Sequence, residues 1–597
     1  VSSEAIPVVL VGGGTILVDV EQGLKGCSDL IMCRHSSVAN AIGAALCHVT
    51  GHVDMVCNIE PGDTPSRRSA IEDAKTMTLK EAILAGADPD LVELVDFEEL
   101  PLTYLPGNAI QLKGIAAGPL KSDLSKAVSV DFTSVENFKL PSQQLSTSEI
   151  CEASSVINSS LHLDSGNFKS KIPQLDRTKG EWTLSEFDVE CITIGAGILG
   201  CGGGGNPHCG RVRLLQTLKN GSKPRVLSFD HLTKERFDDD RLVFTVGMMG
   251  APLILYERLA SGEETRLAVT ALAAFQNGLL NDLIERTEKK TSTEGVTFVR
   301  FHENELPSLS SDWLEKHVVL SAVEIGGVNS VEPLAVAAVT GLPVLDADLM
   351  GRAFPELQMI TSSMYGHSIF PAVAASWTGA IWLFLSGPSP KALEDCARLF
   401  CIEDGCSTAF VVAPLTIPEA RNCMIRGSIS RAWILGNQIL TARQQHASCV
   451  SAAIKVENGV LLAEGKIIEV RRSTEKGFNR GHFLLSSLTD SEECCYRVEF
   501  QNENLICLKN DRVIATTPDL ICVLETDSGS PISTDMLRYG LRVSIILIPP
   551  SHLLTTMQGL SVVGPKAFGY SSLSYSPNPD LKQSQSHCIF DVDFTRK

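Results

Sequence analysis

The run Ile194–Arg211, I-G-A-G-I-L-G-C-G-G-G-G-N-P-H-C-G-R, constrains this chain more than any other stretch. Gly202, Gly203, Gly204 and Gly205 lead directly into Asn206-Pro207. Each glycine adds backbone entropy that folding must remove, so the run suits neither a helix interior nor a strand interior. It marks backbone that comes close to something, with N–H groups free to point at it. Gly195, Gly197 and Gly200 also fit G-x-G-x-x-G, the dinucleotide-binding pattern, which requires a preceding strand and an acidic residue about 20 positions later. The flanking residues oppose that reading. Phe187, Cys191, Ile194 and Ile198 follow helical spacing, Ser185 and Asp188 fit a capping box, and Asn220-Gly221-Ser222 offers no carboxylate. The sequence therefore predicts helix, glycine loop, second helix. Asn206 is the N-cap, Pro207 the first helical residue, and Val212, Leu215 and Leu218 a buried stripe. The positive end of the second helix would face a glycine-lined hollow suited to an anion or carbonyl. A tight turn that lets two helices pack is the alternative.

A chain of 597 residues implies three or four domains. Its hydrophobic content of 44% and charged content of 20% fill ordinary cores. The net charge of −19 argues against nucleic acid or an anionic membrane as the main partner. Eighteen cysteines without small-domain spacing read as reduced cytosolic thiols, and no signal-type segment opens the chain. A cytoplasmic protein is expected, and the missing initiator Met reads as a fragment or a trimmed gene model. Ile369–Leu385 is largely apolar, but Pro371, Ser376, Thr378 and Gly379 interrupt it. A buried core helix is expected there rather than a membrane span.

Several strand-like runs end in glycine turns, which predicts an α/β domain with its pocket at the strand ends. Leu242–Val246 runs into Met248-Met249-Gly250, and Glu257 on the next element is a secondary candidate. His317–Val323 runs into Glu324, the pair Gly326-Gly327, and Asn329. Val344-Leu345 runs into Asp346 and Asp348, which stand two apart and so share one side of an extended segment. Such a pair can hold a divalent metal, or divide acid and base roles through mutual pKa shifts. Arg352 lies within reach of both, and a simple Asp–Arg pair or a helix cap is the competing reading. His208 and His367 belong to no metal-binding array, and Cys201 and Cys209 read as packed thiols. Near the N-terminus, residues 6–14 read as a strand and glycine turn. Val38, Ala39, Ile42, Leu46 and Val49 read as a helix stopped by Gly51. Residues 126–183 are a Ser-rich linker. From about 390 the pattern alternates short strands with turns, a β-rich domain, and Gly477–Gly481 is a basic loop able to close over a pocket.

Two resemblances sharpen this. V-L-V-G-G-G-T, S-S-V-A-N-A-I-G-A-A-L, E-A-I-L-A-G-A-D-P-D and L-P-L-T-Y-L-P-G-N-A-I resemble the C-terminal part of the A-type subunit of hydantoinases and 5-oxoprolinases, over residues 1–125. That implies a partial actin-like ATPase fold, with Gly12–Gly14 a remnant of its nucleotide pocket. From 184 to about 575, the glycine run, V-G-M-M-G-A-P, A-V-E-I-G-G-V-N-S, G-L-P-V-L-D-A-D-L-M-G-R-A-F-P-E-L-Q-M, I-R-G-S-I-S-R-A and P-D-L-I-C-V-L are similar to the S-methyl-thiohydantoin desulfurase family. Cys201 stands where that family suggests threonine or serine, which puts substrate identity in question. The resemblance implies two domains, 184–389 and 390–597, and a hydrolase for a hydantoin-type ring. It also implies a divalent metal, zinc among the candidates. Asp346, Asp348, Arg352 and Glu324 would be catalytic, with Asp346 and Asp348 holding the metal. Gly202–Gly205, Asn206, Gly326, Gly327 and Asn329 would bind a cyclic amide or thiohydantoin. A hydantoinase B-type partner and a homo-oligomer are further expectations. A non-catalytic accessory module and a nucleotide-dependent enzyme are the rival readings.

Overall fold

A computed structural model describes residues 6–11, 27–32, 35–39, 42–43, 47–58, 64–101, 109–121, 172–235, 240–250, 261–405, 407–475, 478–487, 494–583 and 588–594. The chain forms two compact units, one from 1–53, 72–94 and 114–167, the other from 54–71, 95–113 and 168–597. Gly12–Gly14, Glu257, Gly477 and residues 126–171 of the expected Ser-rich linker lie outside the described residues, whereas the end of that stretch is not linker but two antiparallel strands, Gln174–Asp176 and Glu181–Thr183.

In the smaller unit, Ile6–Leu10 pairs in parallel with Cys27–Met32. Ala82, Ala87 and Ala116 form a small core with Val49, Leu79 and Val92 against it. The helix expected from Val38 is present at Ala39, Ile42 and Gly43, but it does not reach Gly51, since a strand, Val49–Asn58, begins at Val49. Val49, Thr50, Val53 and Val56 are β-branched, which favours that strand. Gly51 is needed because a Cβ there would lie 2.1 Å from the Ala82 nitrogen.

The larger unit holds two sheets. α1 (Glu186–Leu199) and α2 (Pro207–Lys219) flank the glycine run, as the caps predict. Ser185 and Asp188 form the capping box, and Asn206 caps the helix that Pro207 opens. A helix, not a strand, precedes the glycines, which excludes the dinucleotide-binding arrangement. Leu214 is the buried residue on α2, and Val212 is 46% exposed, so the expected stripe is displaced. In the first sheet, β1 (Arg225–Leu227), β2 (Leu242–Gly250), β3 (Val318–Ala322) and β4 (Val344–Asp348) run parallel in the order β2-β3-β4-β1. Every residue of β3 and β4 is buried, as expected for parallel strands covered on both faces. The expected core helix over 369–385 is instead a hairpin, β5 (Ala372–Ala375) and β6 (Ala380–Ser386). Ile381-Trp382-Leu383-Phe384 favours strand, and Gly379 supplies a left-handed turn residue at φ 83°. β7 (Ser407–Val411) joins β5 to β2 in this same sheet. The stretch from 390 is therefore not β-rich at its start.

β8 (Ile425–Arg426) pairs with β4 and leads into α3 (Ser428–Gln444). The antiparallel second sheet follows: β9 (Val460–Glu475), β10 (Phe478–Ser487), β11 (Cys495–Gln501), β12 (Glu503–Lys509), β13 (Arg512–Thr516), β14 (Leu520–Glu525) and β15 (Arg542–Ile548). Ile467, Val470, Phe483, Leu485, Val498 and Ile545 lie in its core. Among the described residues no helix is long and apolar enough to cross a membrane.

α1 and α3 cross at two glycines. A Cβ on Gly195 would sit 1.9 Å from the Ala432 carbonyl oxygen, and one on Gly436 1.9 Å from that of Cys191. Trp433 closes the crossing, its indole N–H donating to Asp188 at 2.7 Å. Gly436→Ala gains about 1 kcal/mol of helix propensity but forces a backbone contact apart, an overpacking cost of about 1–3 kcal/mol or more. A net fall in Tm by calorimetry is expected, and a raised Tm would refute the close crossing.

Candidate active site at the seam of the two sheets

The sequence brings Asp346 and Asp348 to the end of β4, on one side, facing the start of α3. Asp346 Oδ1 accepts the N–H groups of Ile429 (2.8 Å) and Ser430 (3.0 Å), and Oδ2 accepts the Ser430 hydroxyl at 2.5 Å. Asp348 Oδ2 accepts the N–H groups of Ile325 (3.0 Å), Met350 (3.0 Å) and Gly351 (2.6 Å), and Oδ1 accepts the Ser428 hydroxyl. Both are buried. Burial pushes Asp346 up to about 6 and raises Asp348. The residues facing these oxygens are hydrogen-bond donors, the surroundings of a helix-capping carboxylate rather than of a metal ligand. Asp346 and Asp348 do not fit a divalent metal in this arrangement. Among the described residues no group of three or more His, Cys, Asp or Glu is placed to hold one.

The glycine loop meets the turn after β3. Gly327 holds a φ of 48°, and a Cβ there would stand 2.0 Å from the Gly205 carbonyl oxygen. One on Gly204 would stand 2.5 Å from the Gly326 oxygen, and the Val328 N–H donates to Gly204 at 2.8 Å. The glycines thus let two backbone turns interlock. Glu324 accepts from the Asn329 amide at 2.7 Å and from the Phe354 N–H at 3.2 Å. Burial pushes its carboxyl up to about 8. Asn329 is anchored at the end of β2, its carbonyl oxygen accepting from the Met248 N–H at 2.7 Å. Asn206 lies apart from this cluster, on a second cavity of about 430 Å³ beside Cys209 and Met248.

On the other side of the loop stands Glu503, so close that a Cβ on Gly203 would lie 1.9 Å from its Oε1. Burial, then the Glu324 charge, raises Glu503 well above the ordinary carboxyl range. Among the described residues its Oε2 and the Asn504 Oδ1 have no hydrogen-bond partner. Arg352 ties this side to β4. Fully buried, it donates to the carbonyls of Ala353 (3.1 Å), Asp519 (2.7 Å) and Asn504 (2.8 Å). So the structure brings Glu324, Asn329, the glycine loop, Asp348 and Arg352 to one seam, with Asp346 one step away at the α3 cap.

The open space lies beyond them. A cavity of about 780 Å³ is bordered by Ile325, Gly351, Ser428, Arg431, Asp519 and Tyr575, among others, a size suited to a small molecule. The Tyr575 hydroxyl donates to Asp519 Oδ1 at 2.7 Å, while Oδ2 has no hydrogen-bond partner among the described residues. Burial pushes Asp519 up to about 6. Sequence reasoning did not single out Asp519, Tyr575 or Ser428 as functional. The signal available was I-R-G-S-I-S-R-A and P-D-L-I-C-V-L among the shared motifs.

This fold and seam define a multi-domain α/β protein with a mixed sheet, a strand-rich C-terminal region and a carboxylate-bearing cavity where they join. Two family models match it, "S-Me-THD-like, N-terminal domain" over residues 187–287 and 297–386, and "S-Me-THD-like, C-terminal domain" over 388–578. Over that region the chain belongs to the S-Me-THD-like family. The two models leave residues 1–186 unmatched, so they lend no support to a hydantoinase A-type domain there. A crystal structure of a Chromobacterium violaceum protein from a structural genomics programme is similar in fold, with 22% identity and a TM-score of 0.50. The match covers 66% of this chain and 99% of that one. No curated protein matches the chain.

Removing the Arg352 guanidinium would leave the Asn504 and Asp519 carbonyls buried and unpaired. Arg352→Met is expected to cost about 3–5 kcal/mol, read as a lower urea midpoint. An unchanged midpoint would contradict its role as the peg of the seam.

Proposed function

We propose that the chain is a hydrolase for a hydantoin-type five-membered ring, an S-methyl-thiohydantoin or related cyclic amide. The family supports the ring class, and one observation supports hydrolysis: Asp519 on the wall of the large cavity. Its carboxyl, pushed up to about 6, is mostly ionised at pH 7 yet basic enough to take a proton, the balance a general base needs. Tyr575 fixes one carboxylate oxygen, and the other, buried without a hydrogen-bond partner among the described residues, would be the one to take the proton. Burial pushes the Tyr575 phenol far up, so it stays a donor. Arg431 borders the same cavity and would offset negative charge developing on the ring. It is held by Glu457 at 2.6 Å. Glu324, Asn329 and the glycine loop would form the rigid back wall rather than the reacting groups. No step is assigned to a metal at Asp346 or Asp348.

A base with a pKa of about 6 is inactive while protonated, so kcat/KM should rise with pH through about 6 and then level. Asp519→Asn should abolish that limb and lower kcat by about 10²–10⁴-fold, measured as methanethiol release from S-methyl-thiohydantoins. Unchanged turnover in Asp519→Asn would overturn the assignment. The same shift has a sign for stability. The folded chain holds this proton after the unfolded chain, with the ordinary value of 3.8, has lost it. Asp519 therefore destabilises the fold progressively as pH rises from about 4 to about 6.

A further inference from the structure

Ser428 stands on the cavity wall with its hydroxyl within reach of the Asp348 carboxylate and, at 3.0 Å, of the Ile425 carbonyl across its own turn. β8 ends at Arg426, Gly427 turns in the left-handed region at φ 72°, and Ser428 opens the 17-residue helix α3. This strand–turn–helix path presents one hydroxyl at the tip of a sharp bend, as nucleophile-bearing turns do. Gly427 has no side chain to stand between that bend and the cavity. Behind Ser428, three backbone N–H groups lock Asp348 Oδ2, which leaves Oδ1 aimed at the Ser428 hydroxyl. The capping of α3 is already done by Asp346, which takes the Ile429 and Ser430 N–H groups. Asp348 and Ser428 are therefore not needed for that purpose. Ser428 borders the cavity together with Asp519, Tyr575 and Arg431.

We infer that Ser428 is the nucleophile of the reaction proposed above, with Asp348 as the acceptor of its proton. The inference rests on the ring-hydrolase reading. In the first step the Ser428 Oγ–H proton passes to Asp348, an Oγ–C bond forms at the ring carbon bearing the methylthio group, and the C–S bond breaks. The leaving thiolate takes a proton from bulk water, to be returned later by Asp519, and departs as methanethiol. In the second step Asp519 takes a proton from water, the water oxygen bonds to the same carbon, and the Oγ–C bond breaks. Ser428 recovers its proton from Asp348, the proton on Asp519 replaces the one spent on the thiolate, and the ring leaves as a carbonyl compound. The sum is one water consumed and one methanethiol released, with no oxidant or reductant. Burial raises the Asp348 carboxyl, which suits a temporary proton acceptor.

The test uses the full chain and an S-methyl-thiohydantoin as probe. Asp519→Asn blocks the second step selectively, so it should accumulate one ring per chain, seen by intact mass as substrate minus methanethiol and mapped to Ser428 by peptide analysis. Asp519→Asn with Ser428→Ala should carry no adduct. Ser428→Ala alone should lose about 10³-fold or more in kcat, and Ser428→Thr, which keeps the hydroxyl, should retain adduct formation. Adduct on another residue, no adduct in Asp519→Asn, or Ser428→Ala turning over within tenfold of the parent would each overturn the inference. Wild-type protein that turns over no hydantoin-type ring would instead overturn the reading beneath it.

Discussion

The seam depends on one buried cation. Arg352 is fully buried and takes no carboxylate as hydrogen-bond partner, giving its N–H groups to three backbone carbonyls. Two of those carbonyls, Asn504 and Asp519, come from the second sheet, while Arg352 itself follows β4 of the first. A guanidinium's fixed fork suits this, because it fixes two strands from another sheet in direction as well as distance. Phe354 adds a ring face 4.9 Å from the guanidinium carbon, a favourable contact for a desolvated cation. Asp519 thereby reaches the cavity wall from a backbone pinned one bond away from the charge.

The glycine loop takes its meaning from that docking. Four glycines in a row suggested a surface for a ligand, yet each meets protein: Gly202 faces Thr534 and Asn504, Gly203 faces Glu503, and Gly204 and Gly205 face the Gly326-Gly327 turn. With side chains at these positions the loop, the turn after β3 and β12 could not approach one another. Cys201 shares the constraint. It adopts φ 52°, uncommon for a residue with a Cβ, and its thiol lies 4.0 Å from that of Cys522.

Local chemistry was legible and partner choice was not. Ser185, Asp188, Asn206 and Pro207 announce their caps because capping is settled within three residues. The two-residue spacing of Asp346 and Asp348 announces a shared side of a strand. What those carboxylates bind there depends on α3, eighty residues away, and no spacing rule reaches that far. The hairpin at 372–386 was misread because a short apolar run has no period that separates strand from buried helix. Glu503 and Asp519 were hidden for a related reason. In sequence they sit at turns, and only the pairing of β11 with β12 and the Arg352 contacts carry them to the seam.

Charge counting explains why the activation of water falls to Asp519 rather than to the more numerous carboxyls around it. Glu324 and Glu503 share the buried field of Arg352, whose single positive charge can offset only one of them. Burial raises both, with the Asp348 charge adding to Glu324 and the Glu324 charge adding to Glu503, and with Glu324 pushed up to about 8 the pair holds at least one proton near neutrality. Asp346 and Asp348 spend their oxygens on backbone and hydroxyl donors. Among the described residues Asp519 alone combines an oxygen without a hydrogen-bond partner, a border on the large cavity and a titration close to neutrality. Glu324, Glu503 and Asp346 make the seam rigid, so the proton taken from water at Asp519 changes the charge where substrate-sized space exists, and Asp348 is reached only through the Ser428 hydroxyl it accepts.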